Sequence, residues 1–397
     1  MNKKFAFFIF AYWHDPRWKQ FVGATVKIRD LAENLSRLGH DVMLFLPAYG
    51  FKPINKDVNI VEIPFINIPI LRFISFNIFL AMCLSGLLLK SRPRVIYVRR
   101  MGSIVPALFA LITRSPFFYE VNDDPYQKDY HEGSKAVFKT RRYLSTWIDH
   151  LNIRFSSQSF VITEAIIGKI QKQLPNSADK LIHLPSGTNS KMFYPQDQVQ
   201  CRRHFNMDTG LRYIGFAGSL LKHQGIDVLI DAAPELIREF PEIAFEVAGE
   251  GPQKITWKSG VTLRRLSTHF RFRGQIEYQD MPSWINAMDI CVAPFLPSAG
   301  LRSPVKIFDY MACAKPVIAS RIPGTTDAFE ESNAIILVSP GDSAELSRAI
   351  ISLLKSPPET ITNMGLKGRK FIERHYDRGS LALKVVEYAR KNLITDK

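Results

Sequence analysis

Cysteine is scarce in this chain, and its cysteines form no recognisable motif. The 397 residues include only Cys83, Cys201, Cys291 and Cys313, and none belongs to a C-x-x-C pair. Such spacing predicts neither a disulfide framework nor a zinc site. The scarcity fits a reducing cytosol.

Two further signatures are missing. No G-x-G-x-x-G stretch occurs, which argues against a dinucleotide-dependent dehydrogenase. The apolar run at the N-terminus is short, lacks a small-residue cleavage site and passes into His14 and Asp15. We therefore predict a first buried strand there rather than a secretory signal.

The longest uncharged stretch, residues 73–89, tests whether the chain enters a membrane. It has seventeen residues between Arg72 and Lys90, just under the ~18 that indicate a membrane span. A helix that is apolar on nearly every side is usually buried inside a large domain. We expect a buried helix first, contact with a membrane interface second, and a true span last.

Acidic residues are too few to balance the basic ones. Lys and Arg total 52 against 37 Asp and Glu, which leaves a net charge of +15. Residues 1–200 hold 26 basic and 15 acidic side chains, or +11, and residues 201–397 hold 26 and 22, or +4. The excess admits nucleic acid, a phosphorylated substrate or an acidic membrane as partner.

Short apolar runs rich in Val, Ile and Phe alternate with helical patterns along the whole chain. This alternation is typical of βαβ units, and continuously apolar strands indicate parallel sheets covered on both faces. We predict an α/β protein with two doubly wound, Rossmann-like sheets. The predicted strands are 5–10, 41–46, 59–63, 94–98, 117–121, 159–163, 181–185, 213–217, 244–248, 270–274, 290–294, 316–320 and 334–338.

The strand pattern is interrupted near residues 188–210, which are polar. A length of 397 residues suits two to three domains of ~100–200 residues. We predict one domain over 1–195 and a second over 196–379, with the helical stretch 380–397 packing on either. Ligands of such sheets bind beyond the carboxyl ends of the strands, so we expect the site in a cleft between the domains.

In the first domain, Gly23 and Ala24 lie where a loop enters a long amphipathic helix. The backbone N–H groups of such a helix start can face a ligand. An ordinary helix start explains the same residues equally well.

The second domain begins with a strand, the small-residue turn Gly218-Ser219, and then Lys222. The turn leaves room for a phosphate, and the lysine supplies a point charge beside it. The next strand ends in AGEGP, where Gly251 is a place for close approach to a ligand.

Later in this domain, Ser303, Pro304, Val305 and Lys306 stand at the entrance to a helix. The free N–H groups and positive dipole end of a helix start favour anions. Asp309 follows Lys306 by three residues and lies on the same side of the helix. The cation suits the phosphates of a nucleoside diphosphate, and the carboxylate suits ribose hydroxyls. For these two residues considered without their surroundings, a surface ion pair is the simpler explanation.

Nearly the whole chain resembles the retaining glycosyltransferases of family 4, which have the two-domain GT-B fold. The resembling passages, in order, are Gly23 with GHDV, PRVIYVRR, ITEAI, HLPSGTNSKMFYP, GSLLKHQGIDVLIDA, AGEGP, RGQIEYQDMPSWINAMDICVAPF and SPVKIFDYMACAKPVIASRIPG. The chain is most similar to bacterial members that build polysaccharides or glycolipids.

This resemblance implies the roles of the site residues. Ser219 and Lys222 would bind the donor diphosphate, Ser303 to Lys306 would cradle it, and Asp309 would contact the ribose. It also implies that the sugar moves to an acceptor hydroxyl on the same face, with no metal, no cofactor and no obligatory protein nucleophile. The first domain would bind the acceptor and the second the donor.

The chain departs from the family pattern at three positions. Leu301 stands where the paired-acid motif Glu-x7-Glu has its first acid, and backbone groups of residues 299–302 would replace it. Ser219 stands where an arginine is common. In the loop after FFYEV, where many relatives have a histidine, the chain offers Asn122 and Asp123; loop capping is the alternative role for these two.

The sequence leaves three candidate functions for this chain. The first is transfer of a sugar from a UDP-sugar, or next a GDP-sugar, to a glycan or lipid-linked acceptor. The others are a sugar-nucleotide epimerase of the same fold and a basic nucleic-acid-binding protein, although no recognition-helix, RNP or zinc motif appears. The charge of residues 1–200 favours docking on the anionic cytoplasmic face of the cell membrane, through basic residues that include Arg92, Arg94, Arg99, Arg100, Lys139, Arg141 and Arg142.

Overall fold

The computed structural model describes residues 4–12, 22–50, 57–68, 71–88, 94–126, 136–301 and 303–394. Within these ranges, side chains are described for all residues except 22–25, 94, 136–142 and 394. The chain divides into two compact units, the first made of residues 1–185 and 379–397 and the second of residues 186–378.

The first unit is built on a seven-stranded parallel sheet with the strand order β3-β2-β1-β4-β5-β6-β7. Its strands are β1 (Ala6–Phe10), β2 (Asp41–Pro47), β3 (Val58–Ile63), β4 (Arg94–Arg99), β5 (Phe117–Val121), β6 (Gln158–Val161) and β7 (Leu181–His183). Its connecting helices are α1 (Val22–Arg37), α2 (Leu71–Leu87), α3 (Val105–Thr113), α4 (Ala136–Phe155) and α5 (Glu164–Gln173).

The direction of each connection places the helices on two faces of this sheet. From β3 to β7 the chain always advances toward the same edge, and parallel crossovers are right-handed, so α2, α3, α4 and α5 cover one face. The connection from β1 to β2 runs the other way and places α1 on the opposite face. Buried side chains of α1, such as Ile28 and Leu35, share a core with Phe7 and Ile9 of β1.

The second unit has a six-stranded parallel sheet with the order β10-β9-β8-β11-β12-β13. Its strands are β8 (Arg212–Ala217), β9 (Ile243–Ala248), β10 (Phe270–Gly274), β11 (Ile290–Ala293), β12 (Val317–Ser320) and β13 (Ile336–Val338). Its helices are α6 (Gln198–His204), α7 (Ile226–Glu239), α8 (Lys254–Leu263), α9 (Met281–Ala287), α10 (Val305–Ala312), α11 (Pro323–Phe329), α12 (Ser343–Lys355) and α13 (Pro358–His375).

Each of the thirteen predicted strands corresponds to one observed strand, with ends that differ by a few residues at most. The core strands are apolar along their length because helices cover both faces of each sheet. Strand β9, for example, is buried at every position. The prediction of two doubly wound sheets is therefore confirmed.

The boundary between the units follows Pro185, whereas the sequence placed it at residue 195. The reason is that Thr188 and Ser190 bond within the second unit. The Thr188 amide donates to the Tyr376 carbonyl oxygen at 2.9 Å, and the Ser190 hydroxyl donates to Asp377 at 2.5 Å.

The last helix, α14 (Arg378–Ile394), returns to the first unit. Its buried residues Leu381, Val385 and Ala389 join the core that Phe5 and Phe7 form at β1. It lies on the same face of the sheet as α1, since both contribute to this core.

Helix α2 covers most of the uncharged stretch, of which residue 89 lies outside the described residues. The expectation of a buried helix is wrong. Phe76, Leu80 and Leu84 are buried, but Ile78 and Met82 are exposed. No helix among the described residues is long and apolar enough to cross a membrane.

Candidate functional site

The second unit has its candidate site at the carboxyl edge between β8 and β11. The order of its sheet reverses direction at this pair of strands, and such switch points are where open α/β sheets bind ligands. Gly218 follows β8 directly, Gly249 follows β9, and Phe295 lies just after β11. Helix α10 begins at the same edge.

Tyr310 fixes α10 against the end of β8. Its side chain is fully buried, and its hydroxyl accepts a hydrogen bond from the Ala217 amide at 2.6 Å. Lys306 lies one turn earlier on the helix and therefore projects across the turn at Gly218. A Cβ atom added to Gly218 would lie 2.7 Å from Lys306 Nζ, so the space predicted for a phosphate beside this glycine holds the lysine ammonium.

The Lys306 ammonium is enclosed by aromatic rings. It lies 3.6 Å from the centroid of the Phe216 ring and 5.2 Å from that of Phe295. It donates a hydrogen bond to the neutral amide oxygen of Gln224 at 2.6 Å. Among the described residues no carboxylate forms an ion pair with it, and burial lowers the pKa of Lys306 well below its usual range.

The glycines of the site are required by packing between backbones. A Cβ atom on Gly251 would lie 2.5 Å from the Leu220 carbonyl oxygen, and one on Gly249 would collide with the carbonyl of Gly218. The loops after β8 and β9 therefore pack directly on each other. These contacts explain why both positions are glycines, and the close approach of a ligand to Gly251 stays a prediction.

Ser303, Pro304 and Val305 form the entrance to α10, as predicted. Pro304 is the N-cap residue and Val305 begins the helix. The Val305 amide donates to the Ser303 carbonyl oxygen at 3.0 Å. The Ser303 hydroxyl oxygen is buried and has no hydrogen-bond partner in the described structure. Arg302, part of the backbone stretch expected to replace the missing acid, lies outside the described residues.

Asp309 binds a residue near the boundary between the units. The Thr188 hydroxyl donates to Asp309 Oδ1 at 2.5 Å, and Thr188 itself is fully buried. Lys306 and Asp309, which the helical spacing places on one side, thus bind different partners. The hydrogen bonds of the two side chains therefore differ from those of a surface ion pair between them.

Ser219 and Lys222 lie on the same loop as Gly218. The Leu221 amide donates to the Ser219 carbonyl oxygen at 3.0 Å. Lys222 opens a short 3-10 turn, Lys222–Gln224, and its side chain is exposed. Gly225, with φ +70°, ends this turn and is the N-cap of α7.

In the first unit, Gly23 and Ala24 occupy the first turn of α1. The loop before them, residues 13–21, lies outside the described residues. One turn further, Lys27 forms an ion pair with the buried Glu120 of β5 at 2.7 Å. The start of α1 therefore lies beside the carboxyl end of β5, where Asn122 and Asp123 follow.

Glu120 is the centre of a buried polar cluster. Tyr97 of β4 donates to its second carboxylate oxygen at 2.6 Å. Burial alone raises the pKa of Glu120, but the positive charges of Lys27 and Arg99 and the hydrogen bonds lower it to about 2. The carboxylate is thus held ionised inside the unit.

Asn122 belongs to the same cluster, and Asp123 to the loop. In the amide orientation that satisfies the hydrogen bonds of Asn122, its Oδ1 accepts from Arg99 Nε at 2.8 Å and from Arg99 Nη2 at 2.9 Å. Asp123 Oδ1 accepts from the backbone amide of Asp124 at 3.0 Å. Asp123 therefore shows the loop-capping contact that was its alternative role.

Two of the basic residues assigned to a membrane surface point inward instead. Arg99 is buried, because it contacts Asn122 and lies close to Glu120. Arg100 forms an ion pair with the fully buried Asp149 at 2.8 Å. The remaining members of that set have no described side chains.

The sequence did not indicate several residues of these sites. Phe216 and Phe295 enclose Lys306, and Gln224 accepts its hydrogen bond. Thr188 donates a hydrogen bond to Asp309. Lys27, Tyr97 and Glu120 form the cluster of the first unit. One signal was available, since Glu120 is the single acid inside the apolar strand FFYEV. In the described parts of both units, no group of three or more His, Cys, Asp or Glu is placed to hold a metal ion.

Two family models match the chain. Residues 22–191 match the model described as Glycosyltransferase Family 4, and residues 212–356 match the one described as Glycosyl transferases group 1. Together they include every candidate residue of both units.

Curated relatives match part of the chain. A GDP-mannose-dependent monoacylated alpha-(1-6)-phosphatidylinositol monomannoside mannosyltransferase of Corynebacterium glutamicum is 29% identical over 205 residues, 49% of this chain and 52% of the relative. An alpha-D-kanosaminyltransferase of Streptomyces kanamyceticus is 21% identical over 260 residues, 64% of this chain and 66% of the relative. The chain thus spans about half to two thirds of the length of these relatives.

Solved structures match nearly all of the chain. Sucrose-phosphate synthase from Thermosynechococcus elongatus has a TM-score of 0.77 at 18% identity and covers 99% of this chain and 100% of its own. HepE of Anabaena, solved in complex with UDP, has a TM-score of 0.74 at 18% identity over 98% of this chain and 100% of its own. These likenesses establish the GT-B fold.

Proposed function

We propose that this chain, which belongs to the group 1 and family 4 glycosyltransferases, transfers a sugar from a nucleotide-sugar donor to a hydroxyl group of a glycan or of a lipid-linked acceptor. We place the donor in the second unit and the acceptor in the first. The relatives named above are mannosyl and kanosaminyl transferases, which supports transfer rather than epimerisation.

The observation that carries the proposal is the enclosure of Lys306. An ammonium group held between Phe216 and Phe295, with only a neutral amide as its hydrogen-bond acceptor among the described residues, is poorly solvated. Burying a cation without an opposite charge costs free energy, so the enclosure favours an anion beside Lys306. A donor diphosphate bound at the switch point of the sheet, where open α/β sheets bind ligands, would supply this anion.

The entrance to α10 supports the same assignment. The Ser303 hydroxyl, for which the described residues supply no hydrogen-bond partner, offers a donor where the dipole of α10 favours negative charge. Ser219, Lys222, Pro304 and Val305 complete the predicted phosphate contacts, with the exposed Lys222 acting as a flexible point charge. Asp309, held through Thr188, is assigned to the ribose hydroxyls.

We propose that the reaction retains the configuration of the sugar and needs no metal or other cofactor. The chemistry then depends on stabilising the departing diphosphate, for which Lys306 and Lys222 are the main groups. Fixed donors aimed at developing charge contribute roughly 10²–10³ each in rate. Leu301 offers no carboxylate to the donor sugar. We therefore assign the contacts with the donor sugar at this position to backbone groups of residues 299–301.

In the first unit we assign Asn122 and Asp123 to the reacting sugar or acceptor, together with the first turn of α1 at Gly23 and Ala24. Support comes from the Lys27 and Glu120 pair, which joins α1 to β5 at this edge. The acceptor hydroxyl would be positioned here, while residues of the second unit hold the leaving group.

We propose a UDP-sugar as the donor, with a GDP-sugar next. We also propose that the enzyme works on the cytoplasmic face of the cell membrane without binding nucleic acid. The charge of +11 over residues 1–200 supports attraction to anionic lipid. Nucleic acid would use the same charge, so vesicle and duplex binding must be compared at matched salt.

A thermal-shift panel with UDP, GDP, ADP and their sugars tests the donor assignment. A ligand at a hundred times its dissociation constant stabilises the folded state by about 2.7 kcal/mol. We expect one nucleoside diphosphate to raise the melting temperature of the wild type and not of Lys306→Met. No shift with any nucleotide, together with salt-sensitive binding to DNA or RNA, would replace the enzyme with a nucleic-acid-binding protein.

Incubation with the donor sugar alone separates transfer from epimerisation. A transferase should leave the donor sugar unchanged until an acceptor is added. An epimerase would convert the donor into a second nucleotide sugar without any acceptor.

A further inference from the structure

One face of the first unit carries an apolar surface that faces solvent. Of the 22 large apolar side chains that are exposed in the described residues, 14 lie between Ile66 and Trp147. They are on α2, α3, α4 and the segments next to α2. We call this the α2–α4 face; its exposed members are Ile66, Ile68, Leu71, Ile74, Ile78, Phe79, Met82, Leu88, Leu108, Leu111, Ile112, Tyr143, Leu144 and Trp147.

The three helices form one layer. The chain passes from β3 to β6 toward one edge of the sheet, which places α2, α3 and α4 on the same side and in that order. Ser103, just before α3, joins its neighbours, because its hydroxyl bonds to Asn77 of α2 and its carbonyl oxygen accepts from Asn152 of α4 at 3.0 Å. The exposed side chains therefore belong to a continuous surface.

Helix α2 buries Ser75 together with apolar residues on its inner side and exposes a row of apolar residues on its outer side. Ser75 is buried and donates to the Leu71 carbonyl oxygen at 2.7 Å, and Asn77 contacts Ser103. Ile74, Ile78 and Met82 are exposed and follow each other at intervals of four residues, so they form one outer stripe. Exposure of such an apolar stripe to water is unfavourable, whereas its insertion into a lipid interface is favourable.

The charge around this face selects the partner. No Asp or Glu occurs between Glu62 and Glu120, a segment that contains seven basic residues. Arg99 and Arg100 point inward. Five others flank the apolar helices in sequence: Arg72, Lys90, Arg92, Arg94 and Arg114. A second copy of the chain would carry the same net charge of +11 over residues 1–200 and be repelled, while an anionic lipid surface would attract this charge.

We infer that the α2–α4 face inserts its apolar side chains into the interface of an anionic membrane. The face lies in the unit assigned to the acceptor, so docking would bring that unit to a lipid-linked substrate. Insertion of apolar side chains from α2, α3 and α4 would then add to the electrostatic adsorption that the charge of the chain provides.

Sedimentation with vesicles tests this inference. The wild-type chain is mixed with vesicles of phosphatidylcholine alone or of phosphatidylcholine with phosphatidylglycerol, without donor or acceptor. The test variant is Ile78→Glu/Met82→Glu/Ile112→Glu, whose three positions are 55%, 64% and 69% exposed. The control is Ile255→Glu/Leu263→Glu on α8 of the second unit, where the side chains are 79% and 83% exposed.

We expect the wild type and the control to bind the phosphatidylglycerol vesicles and the test variant to bind at least about tenfold more weakly. Equal binding by all three would overturn insertion through this face. Light scattering that shows a wild-type dimer and a monomeric test variant would assign the face to a second copy instead. Because no substrate is present, either result leaves the proposed sugar transfer to be judged by its own assay.

The fluorescence of Trp147 gives an independent readout of insertion. This residue is exposed on α4, and brominated phosphatidylcholine quenches tryptophan only at contact with acyl chains. Addition of phosphatidylglycerol vesicles that contain the brominated lipid should quench the wild type more than Trp147→Phe. The same quenching in both proteins would place the contact elsewhere.

Discussion

The hydroxyl of Thr188 donates a hydrogen bond to Oδ1 of Asp309 at 2.5 Å. The two residues are 121 positions apart in the chain, and the backbone of Thr188 also bonds to both Tyr376 and Arg378 at 2.9 Å. Thr188 therefore ties the proposed ribose-binding carboxylate to both segments through which the chain passes between the units. We expect Thr188 to be a positioning residue for Asp309.

Replacing Thr188 with valine tests this role, since valine keeps the shape and removes the hydroxyl. Losing a hydrogen bond to a charged group costs roughly 1.5–3 kcal/mol, so nucleoside diphosphate binding should weaken about tenfold or more. The wild type should also distinguish the nucleotide from its 2′,3′-dideoxy form, and Thr188→Val should lose much of this discrimination. Thr188→Ser is the matched control and should restore it; equal weakening for both ligands would show a merely structural role.

Gly251 provides a prediction about the loop between β9 and α8. An added methyl group would meet the Leu220 carbonyl oxygen at 2.5 Å, so Gly251→Ala should lower the free energy of unfolding by about 1–3 kcal/mol. Gly86→Ala in α2 is the control, because a Cβ there meets nothing within 4 Å and alanine favours a helix. Urea unfolding measures both; an unaffected Gly251→Ala would mean that the two loops separate easily.

The strands and their division between two sheets were predictable because a buried parallel strand must be apolar on both faces. The side of α2 that is covered could not be predicted, because nearly all of its residues are apolar. The positions of the neighbouring elements determine which side is buried. The spacing of Lys306 and Asp309 placed both on one side of α10, yet their partners, Gln224 and Thr188, lie 82 and 121 residues away. Local sequence contains no information about contacts at that distance.

The same limit applies to the first unit. The acid in FFYEV indicated a special environment, but its partner Lys27 comes from α1, 93 residues earlier. Arg99 and Arg100 counted as surface charge in the sequence because arginine is seldom buried. Arg99 contacts the Asn122 amide and Arg100 pairs with the Asp149 carboxylate. Both contacts depend on the packing of β4 against β5 and α4, which the local sequence does not contain.

Glu120 provides a prediction about stability. Glu120→Gln removes the carboxylate that compensates the partly buried Lys27 and the buried Arg99, and breaking such a group costs about 3–5 kcal/mol. Asp41→Asn is the control in the same unit, since Asp41 pairs with Lys4 at the surface and should cost less than ~1 kcal/mol. Chemical unfolding at neutral pH measures the difference; equal losses would show that the cluster is well solvated.

The pH dependence of the Glu120 effect follows from its lowered pKa. The unfolded chain ionises this carboxyl near pH 4.5 and the folded chain at about 2. The stabilisation is therefore complete above pH 4.5 and is lost as the pH falls from about 4.5 toward 2. The difference in unfolding free energy between the wild type and Glu120→Gln should shrink over that window.

Lys306 gives opposite expectations for activity and for stability. Lys306→Met removes the proposed diphosphate contact, so turnover should fall by about 10²–10³. It also removes a poorly solvated cation between Phe216 and Phe295, so the donor-free protein should melt at the same temperature or higher. Ile255→Met on the exposed face of α8 is the control and should change neither. Activity within threefold of the wild type would refute the assignment.

The pH dependence of donor binding adds a test that a structural role would not pass. Burial lowers the pKa of Lys306, so the donor-free enzyme loses this proton earlier than the unfolded chain does as the pH rises. Stability of the donor-free wild type should then increase with pH across that window, because the unfolded state holds more protons. A bound diphosphate favours the charged lysine, so donor affinity should fall with rising pH, and calorimetry in buffers of different ionisation enthalpy should detect proton uptake on binding. Lys306→Met should show neither the loss of affinity nor the uptake, since it has no proton to exchange at this position.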